Sequence, residues 1–143
     1  MTEICKTALI GYSSQQMFDL INDIEAYPEY MTGCFGAKIL HREGNEIVAR
    51  LELGKRGVSQ QFVTRNRLAP PELMTMELVE GPFKSFIGAW RFEALNDEAC
   101  KITLMIQFEF KNIVMALAAG PLFEKSANQQ VDALCARAEA VYG

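Results

Sequence analysis

A chain of 143 residues, half of them hydrophobic and 22% charged, is long enough for one domain with its own core and too apolar for a disordered tail. A formal net charge of −4, from 18 acidic against 14 basic residues, gives no whole-surface support for binding DNA by counterion release. Cys5, Cys34, Cys100 and Cys135 form no Cys-x-x-Cys pair and stand beside a single histidine, His41, so no metal or other cofactor is expected and the thiols read as small reduced hydrophobes of a cytoplasmic protein.

Residues 3 to 10 make a plausible first strand. Gly11-Tyr12-Ser13-Ser14 follows, and either serine can accept from the free amides that open a helix. Met17, Phe18, Leu20, Ile21 and Ile24, set among polar residues, predict an amphipathic helix of about three turns that ends before Pro28.

From Cys34 to Phe110 the apolar period becomes two. Ile47, Ala49, Leu51 and Leu53 alternate with polar neighbours, as do Ile102, Leu104, Ile106, Phe108 and Phe110. Turn residues at 43–45, 54–57, 69–71, 81–82 and 96–97 divide this stretch into six strands of an antiparallel meander, seven with the first. Gly81-Pro82 reads as a tight reversal. Beyond it Phe86, Gly88, Trp90 and Phe92 share one face, where the glycine either bends an aromatic core or leaves a gap for a helix or a ligand ring.

The closing segment, 112 to 142, is helical: Phe123, Ala127, Val131, Leu134, Ala138 and Val141 form one apolar stripe. Pro121 predicts either a kink or a short helix followed by a second one starting near it. The nearly apolar run from Ile113 to Phe123 is too short for a transmembrane segment, which takes about 20 residues. Strand, helix, six strands and long helix is the order of an α+β helix-grip fold, a curved antiparallel sheet of about seven strands around the C-terminal helix. A slender rod in a wide bowl predicts an interior apolar tunnel. Met74, Met76, Met105 and Met115 would either line it or fill core.

Catalytic motifs are missing. The chain has no Gly-x-Ser-x-Gly and no glycine-rich phosphate loop, and His41 beside Arg42 and Glu43 reads as a solvated edge residue. Glu77, Glu80 and Glu109 lie on or beside strands, where an inward carboxylate could act as a base. The expectation is therefore a non-enzymatic protein with no catalytic residues.

Three stretches carry a resemblance: Tyr27-Pro28-Glu29-Tyr30 through Cys34, Phe62-Val63-Thr64-Arg65-Asn66, and Leu78-Val79-Glu80-Gly81-Pro82-Phe83-Lys84 followed by Gly88-Ala89-Trp90-Arg91-Phe92. Over nearly its full length the chain resembles the bacterial ribosome-association toxin family, RatA, which belongs with the coenzyme Q-binding proteins among START-like polyketide cyclase and lipid-transport folds. It departs from many relatives at Thr32, where they carry proline. The resemblance implies two non-enzymatic roles: binding of ubiquinone in support of respiration, and association with the large ribosomal subunit that blocks subunit joining. A cyclase-like enzyme is a third reading, by fold analogy alone.

A quinone-type lipid needs aromatic planes and one or two donors. Phe62, Trp90, Phe92, Phe108 and Phe110 supply planes, and Thr64, Asn66 or the Trp90 indole can donate. Tyr30, Phe83, Leu122 and Val131 complete the expected ligand-binding set. Thr64 and Asn66 share a face with Phe62 and Leu68, and each buried polar group left unpartnered would cost about 1 to 3 kcal/mol, so a ligand, water or neighbour must satisfy them. For ribosomal RNA, the basic candidates are Lys55, Arg56, Arg65, Arg67, Lys84 and Arg91, with Arg65 and Arg67 expected to point outward. Peripheral membrane contact through Tyr30, Met31 and Phe83 stays open.

Overall fold

The computed structural model describes residues 1–55 and 58–143, with backbone alone at 55, 58 and 59. Among these residues, β1 (Thr2–Ile10), β2 (Cys34–Glu43), β3 (Glu46–Lys55), β4 (Val58–Ala69), β5 (Leu73–Glu80), β6 (Phe83–Asn96) and β7 (Ala99–Phe110) form one antiparallel sheet in the order β1-β7-β6-β5-β4-β3-β2. The meander accounts for every neighbour except β1, which returns to pair with β7 from Thr2↔Phe108 to Ile10↔Cys100. Two helices, α1 (Ser14–Asn22) and α2 (Ile113–Tyr142), complete the helix-grip arrangement. Alternation buries Ile102, Leu104, Ile106 and Phe108 on the inner face of β7 and leaves Lys101, Thr103, Met105 and Gln107 partly exposed on the outer one.

Ser13 is the residue that caps α1. Its hydroxyl accepts from the Gln16 amide at 3.1 Å while the Gln16 side chain accepts from the Ser13 amide at 2.9 Å, so two orphan donors are satisfied reciprocally. The helix stops at Asn22, and a 3-10 segment, Ile24–Glu29, carries both Ile24 and Pro28. The apolar periodicity extended through Ile24 because the tighter helix still turns that side chain inward. Tyr27 then ties the two pieces by donating its hydroxyl hydrogen to the Ile21 carbonyl.

The long helix is unbroken through Pro121. Pro121 and Leu117 both lie on the solvent side, so the ring finds room and the unpaired Leu117 carbonyl can be hydrated; the two-helix alternative does not form. The buried stripe runs through Gly120, Phe123, Ser126, Ala127, Val131, Leu134 and Ala138, but Val141 is 51% exposed. Tyr142 anchors that end instead, its hydroxyl donating to the Gln16 carbonyl at 2.8 Å and its ring packing on Tyr12.

Gly81-Pro82 does not close a tight hairpin. Pairing between β5 and β6 stops at Glu77↔Ile87, after which Leu78 and Glu80 pair only with β4 and residues 83–86 follow β7. Bulges between Val63 and Thr64 and between Phe83 and Ser85 accompany this split and curl the sheet. The opening is filled from inside by Phe62, Phe83 and Phe86.

Candidate functional site

The concave face is built row by row. Across it, Trp90 pairs with Met74, Gly88 with Met76, Met76 with Asn66, and Asn66 with Ile47. Phe86, Gly88, Trp90 and Phe92 do share this face and are buried. The space above Gly88 belongs to a neighbouring side chain: a Cβ there would lie 2.9 Å from Met76 Cε. A cross-strand methionine therefore occupies the gap that the glycine creates.

Between sheet and α2 lie two small apolar cavities. The inner one, ≈ 40 Å³, is bounded by Tyr27, Met31, Thr64, Asn66, Trp90 and Ser126 among others. The outer one, ≈ 60 Å³, reaches the surface between Pro82 and the α2 residues Ala118, Ala119 and Leu122. Leu53, Phe62 and Phe123 line both and partition them. A dry cavity that holds benzene measures about 150 Å³, so the continuous open tunnel expected from the elements is not present in this conformation. Aromatic packing explains the difference: Phe123 meets Phe108 at 4.7 Å and Phe83 at 5.0 Å, Phe83 stacks on Phe110 at 5.0 Å, and Phe62 abuts Phe123 at 6.5 Å. Phe62 can seat there because residue 81 is glycine, where a Cβ would fall 2.7 Å from Phe62 Cβ.

The buried polar pair is partnered within β4 and by the neighbouring strand β5. Thr64 donates to Asn66 Oδ1 at 2.9 Å, and Asn66 Nδ2 reaches Met74 Sδ at 3.8 Å. The amide has two hydrogens and one soft acceptor, so it keeps donor capacity at the cavity wall. Opposite, Ser126 donates to the Thr32 carbonyl at 2.7 Å, and the Gly54 amide donates to Gly33 at 2.9 Å. These two bonds pin the loop around Thr32, the position that departs from proline. Burial raises the Tyr27 phenol well above its ordinary range and pushes the Cys34 thiol up to about 11, so both inner-wall groups are neutral at physiological pH.

The expected ligand-binding residues separate into groups. Phe62, Thr64, Asn66 and Trp90 line the inner cavity; Phe62, Phe83, Phe110 and Leu122 line the outer one. Phe92 lies off both, stacked on Trp90 and edge-on to Phe18, and Phe108 packs beneath Phe83 and Phe123. Val131 is buried in the stripe but bounds neither cavity. Tyr30 also bounds neither cavity; it is half-buried against the core, with the Arg137 guanidinium 5.1 Å over its ring and Glu29 3.3 Å from Arg137. Of the four methionines, Met76 lines the inner cavity; Met74 is core, Met105 faces outward, and Met115, on the first turn of α2, lines a separate open cleft beside Pro82. Tyr27, Met31, Cys34, Ser126 and Gln130 were not expected at the inner wall. Ser126 and Gln130, polar and four apart on the α2 stripe side, were the available signal.

The outer face corrects the basic patch. Arg65 Nε lies 3.1 Å from Glu46 and Arg67 lies 2.9 Å from Glu77, with cross contacts of 3.6 and 3.9 Å, so the arginines point outward but form a neutral quartet. Lys84 and Arg91 are exposed, while Arg56 and the Lys55 side chain lie outside the described residues. Glu77 belongs to the quartet and Glu80 and Glu109 are exposed; among the described residues no carboxylate lines the two cavities. His41 is exposed on the edge strand β2, 3.5 Å from Glu43. Met31 and Phe83, 6% and 3% exposed, and the Arg137-covered Tyr30 are not placed to touch a membrane, and no described helix is long and apolar enough to cross one.

The family described as polyketide cyclase / dehydrase and lipid transport matches residues 10–135. The ribosome association toxin RatA of Escherichia coli K12 is 42% identical over 99% of this chain and 90% of its own length. A mitochondrial coenzyme Q-binding protein homologue of Xenopus laevis is 25% identical over 99% of this chain and 59% of its own. Among solved structures, the Zhui aromatase/cyclase of a Streptomyces species superposes with a TM-score of 0.84 at 18% identity, covering 96% of this chain and 93% of that one, which shows the shared fold. The chain belongs to the polyketide cyclase / dehydrase and lipid transport family and, within it, to the RatA family.

Proposed function

We propose that this protein acts by binding and not by catalysis: it associates with ribosomes, on the large subunit, and its chamber is a closed, inducible site for a flat hydrophobic ligand of the ubiquinone type. The observation that carries the ribosomal half is the 42% identity to a ribosome association toxin over 99% of the chain. At that likeness both the fold and its outer surface have a common origin. The neutral Arg65–Glu46–Glu77–Arg67 quartet favours a contact with ribosomal protein over one with RNA phosphates on that part of the sheet. Sucrose-gradient sedimentation tests it. The protein is expected to migrate with large subunits and to lower the 70S fraction; protein that stays at the top of the gradient at every salt concentration would remove this reading.

The ligand reading is supported by chamber chemistry. Aromatic walls, one polar pair at the inner end and a mouth beside α2 suit a ring with carbonyl acceptors, and Asn66 holds an amide hydrogen that could meet one. Only movement of Phe62 and Phe123 makes the space. That the described residues of the cavity walls include no carboxylate speaks for binding over cyclase chemistry. Titration with a short-chain ubiquinone, read through quenching of Trp90, the sole tryptophan, should saturate at one site. A linear, collisional response would sink the proposal.

A further inference from the structure

The first turns of α2 expose what a surface helix ordinarily hides. Ile113, Val114 and Leu117 are 70%, 69% and 74% exposed, and the eleven residues from Ile113 to Phe123 include no charge. Leu117 stands four residues from Ile113 and three from Val114, which places the three side chains on one face, and exposed Ala118 and Pro121 continue it. Elsewhere the same helix follows the ordinary pattern, with Glu124, Lys125, Asp132 and Glu139 outward and the stripe inward. Packing of the chain on itself does not account for this end.

We propose that this helix tip is a docking surface for a lipid bilayer, through which the chamber exchanges its apolar ligand; the exchange role, but not the docking, rests on the ligand reading above. Two observations choose the occupant. The first is position: Ala118, which continues the exposed face, also lines the outer cavity, and Ala119 and Leu122, farther round the helix, line it together with Pro82. A bilayer against the tip therefore reaches the edge of this cavity at Ala118, where an apolar ligand can pass between the chamber and hydrocarbon. The second is area. Three side chains exposed to this degree present on the order of 400 Å², half of the roughly 800 Å² per partner that a standard protein interface buries. A second copy or a protein partner would gain too little from the tip alone, whereas a lipid surface needs no matching shape and rewards each buried methylene.

The polar fringe permits this approach. Lys84, Lys111 and Lys125 stand against Glu80, Glu109 and Glu124, so the region is locally balanced although the whole chain carries −4. Docking is therefore expected to depend on burial of the apolar tip and to change little with salt.

Flotation of ligand-free, full-length protein with vesicles of phosphatidylethanolamine and phosphatidylglycerol (about 7:3) tests the inference. Wild type should float, and Ile113→Gln/Val114→Gln/Leu117→Gln, which keeps good helix formers on the surface, should lose at least about tenfold in vesicle affinity with an unchanged melting temperature. Leu9→Gln/Leu95→Gln, which removes exposed leucines far from the tip, should float like wild type. The inference is overturned if wild type stays with the soluble fraction, if the triple variant floats equally well, or if the tip instead mediates a dimer seen by sedimentation without vesicles. Flotation without saturable quenching of Trp90 would keep the docking and discard the ligand reading; quenching without flotation would do the reverse.

Discussion

Gly88 and Met76 face each other across β6 and β5, and the methionine's terminal methyl occupies the volume that a side chain at 88 would need, 2.9 Å from a hypothetical Cβ. One residue's absence of a side chain is thus matched to another's flexible length. Met76 lines the inner cavity beside Trp90.

Gly88→Ala should cost about 1–3 kcal/mol, as overpacking does, because Met76 must swing into the cavity. Met76→Ala in the same chain removes the conflict, so the double variant should be more stable than the sum of the single effects. Urea unfolding of the four proteins measures the coupling; strict additivity would show that the two side chains do not compete.

The partition between the cavities can be opened without dismantling the core. Phe123→Leu keeps an apolar side chain in the stripe but removes a ring that touches Phe62, Phe83 and Phe108. Stability should fall by about 1–3 kcal/mol while uptake of an apolar fluorescent dye rises, since the ≈ 40 and ≈ 60 Å³ spaces become continuous. Dye titration and thermal melting together check this, and a fall in both stability and dye binding would contradict it.

The arginine quartet gives a charge test of the ribosomal surface. Glu46→Gln/Glu77→Gln releases Arg65 and Arg67 from their partners and creates a basic patch. If the outer face meets ribosomal RNA, sedimentation with ribosomes should strengthen at low salt and weaken steeply as salt rises. Unchanged binding at both salt levels is expected for a protein contact, which the present geometry favours.

Alkaline pH should loosen the fold through its buried thiols. Burial pushes Cys34 and Cys100 up to about 11 from 9.0, so between pH 9 and 11 the unfolded chain ionises while the native one still holds its protons. Stability is therefore complete below pH 9 and declines above it. Replacing both residues with alanine should remove the part of that decline that starts near pH 9 in a urea series run from pH 8 to 10.5. The part that begins near pH 10 should remain, because the unfolded Tyr27 and Tyr30 phenols ionise there and the buried native ones do not. Alkylation at pH 8 should reach exposed Cys5 well before buried Cys34 and Cys100.

Legibility differed by element. The apolar alternation of β3 and β7, the turn residues between strands and the stripe from Phe123 to Ala138 stand in the sequence because each reports a local period. The placement of Phe92 against Phe18, of Phe108 under Phe123 and of Ser126 on the Thr32 carbonyl does not, because each joins positions far apart in the chain. Likewise, alternation turned Arg65 and Arg67 outward, but their neutralisation needed the registers that bring Glu46 and Glu77 beside them.

By itself, then, the order of residues determined the helix-grip architecture and which faces are apolar, since secondary structure follows from nearest neighbours and from spacing along the chain. Only the tertiary structure decided how much room remains inside. Cavity volume is a small difference between a bowl's capacity and the rings that fill it, and that difference depends on how Phe62, Phe83 and Phe123 meet across three separate elements. It likewise left Ile113, Val114 and Leu117 facing outward, at the end of α2 that the buried stripe, beginning at Gly120, does not reach.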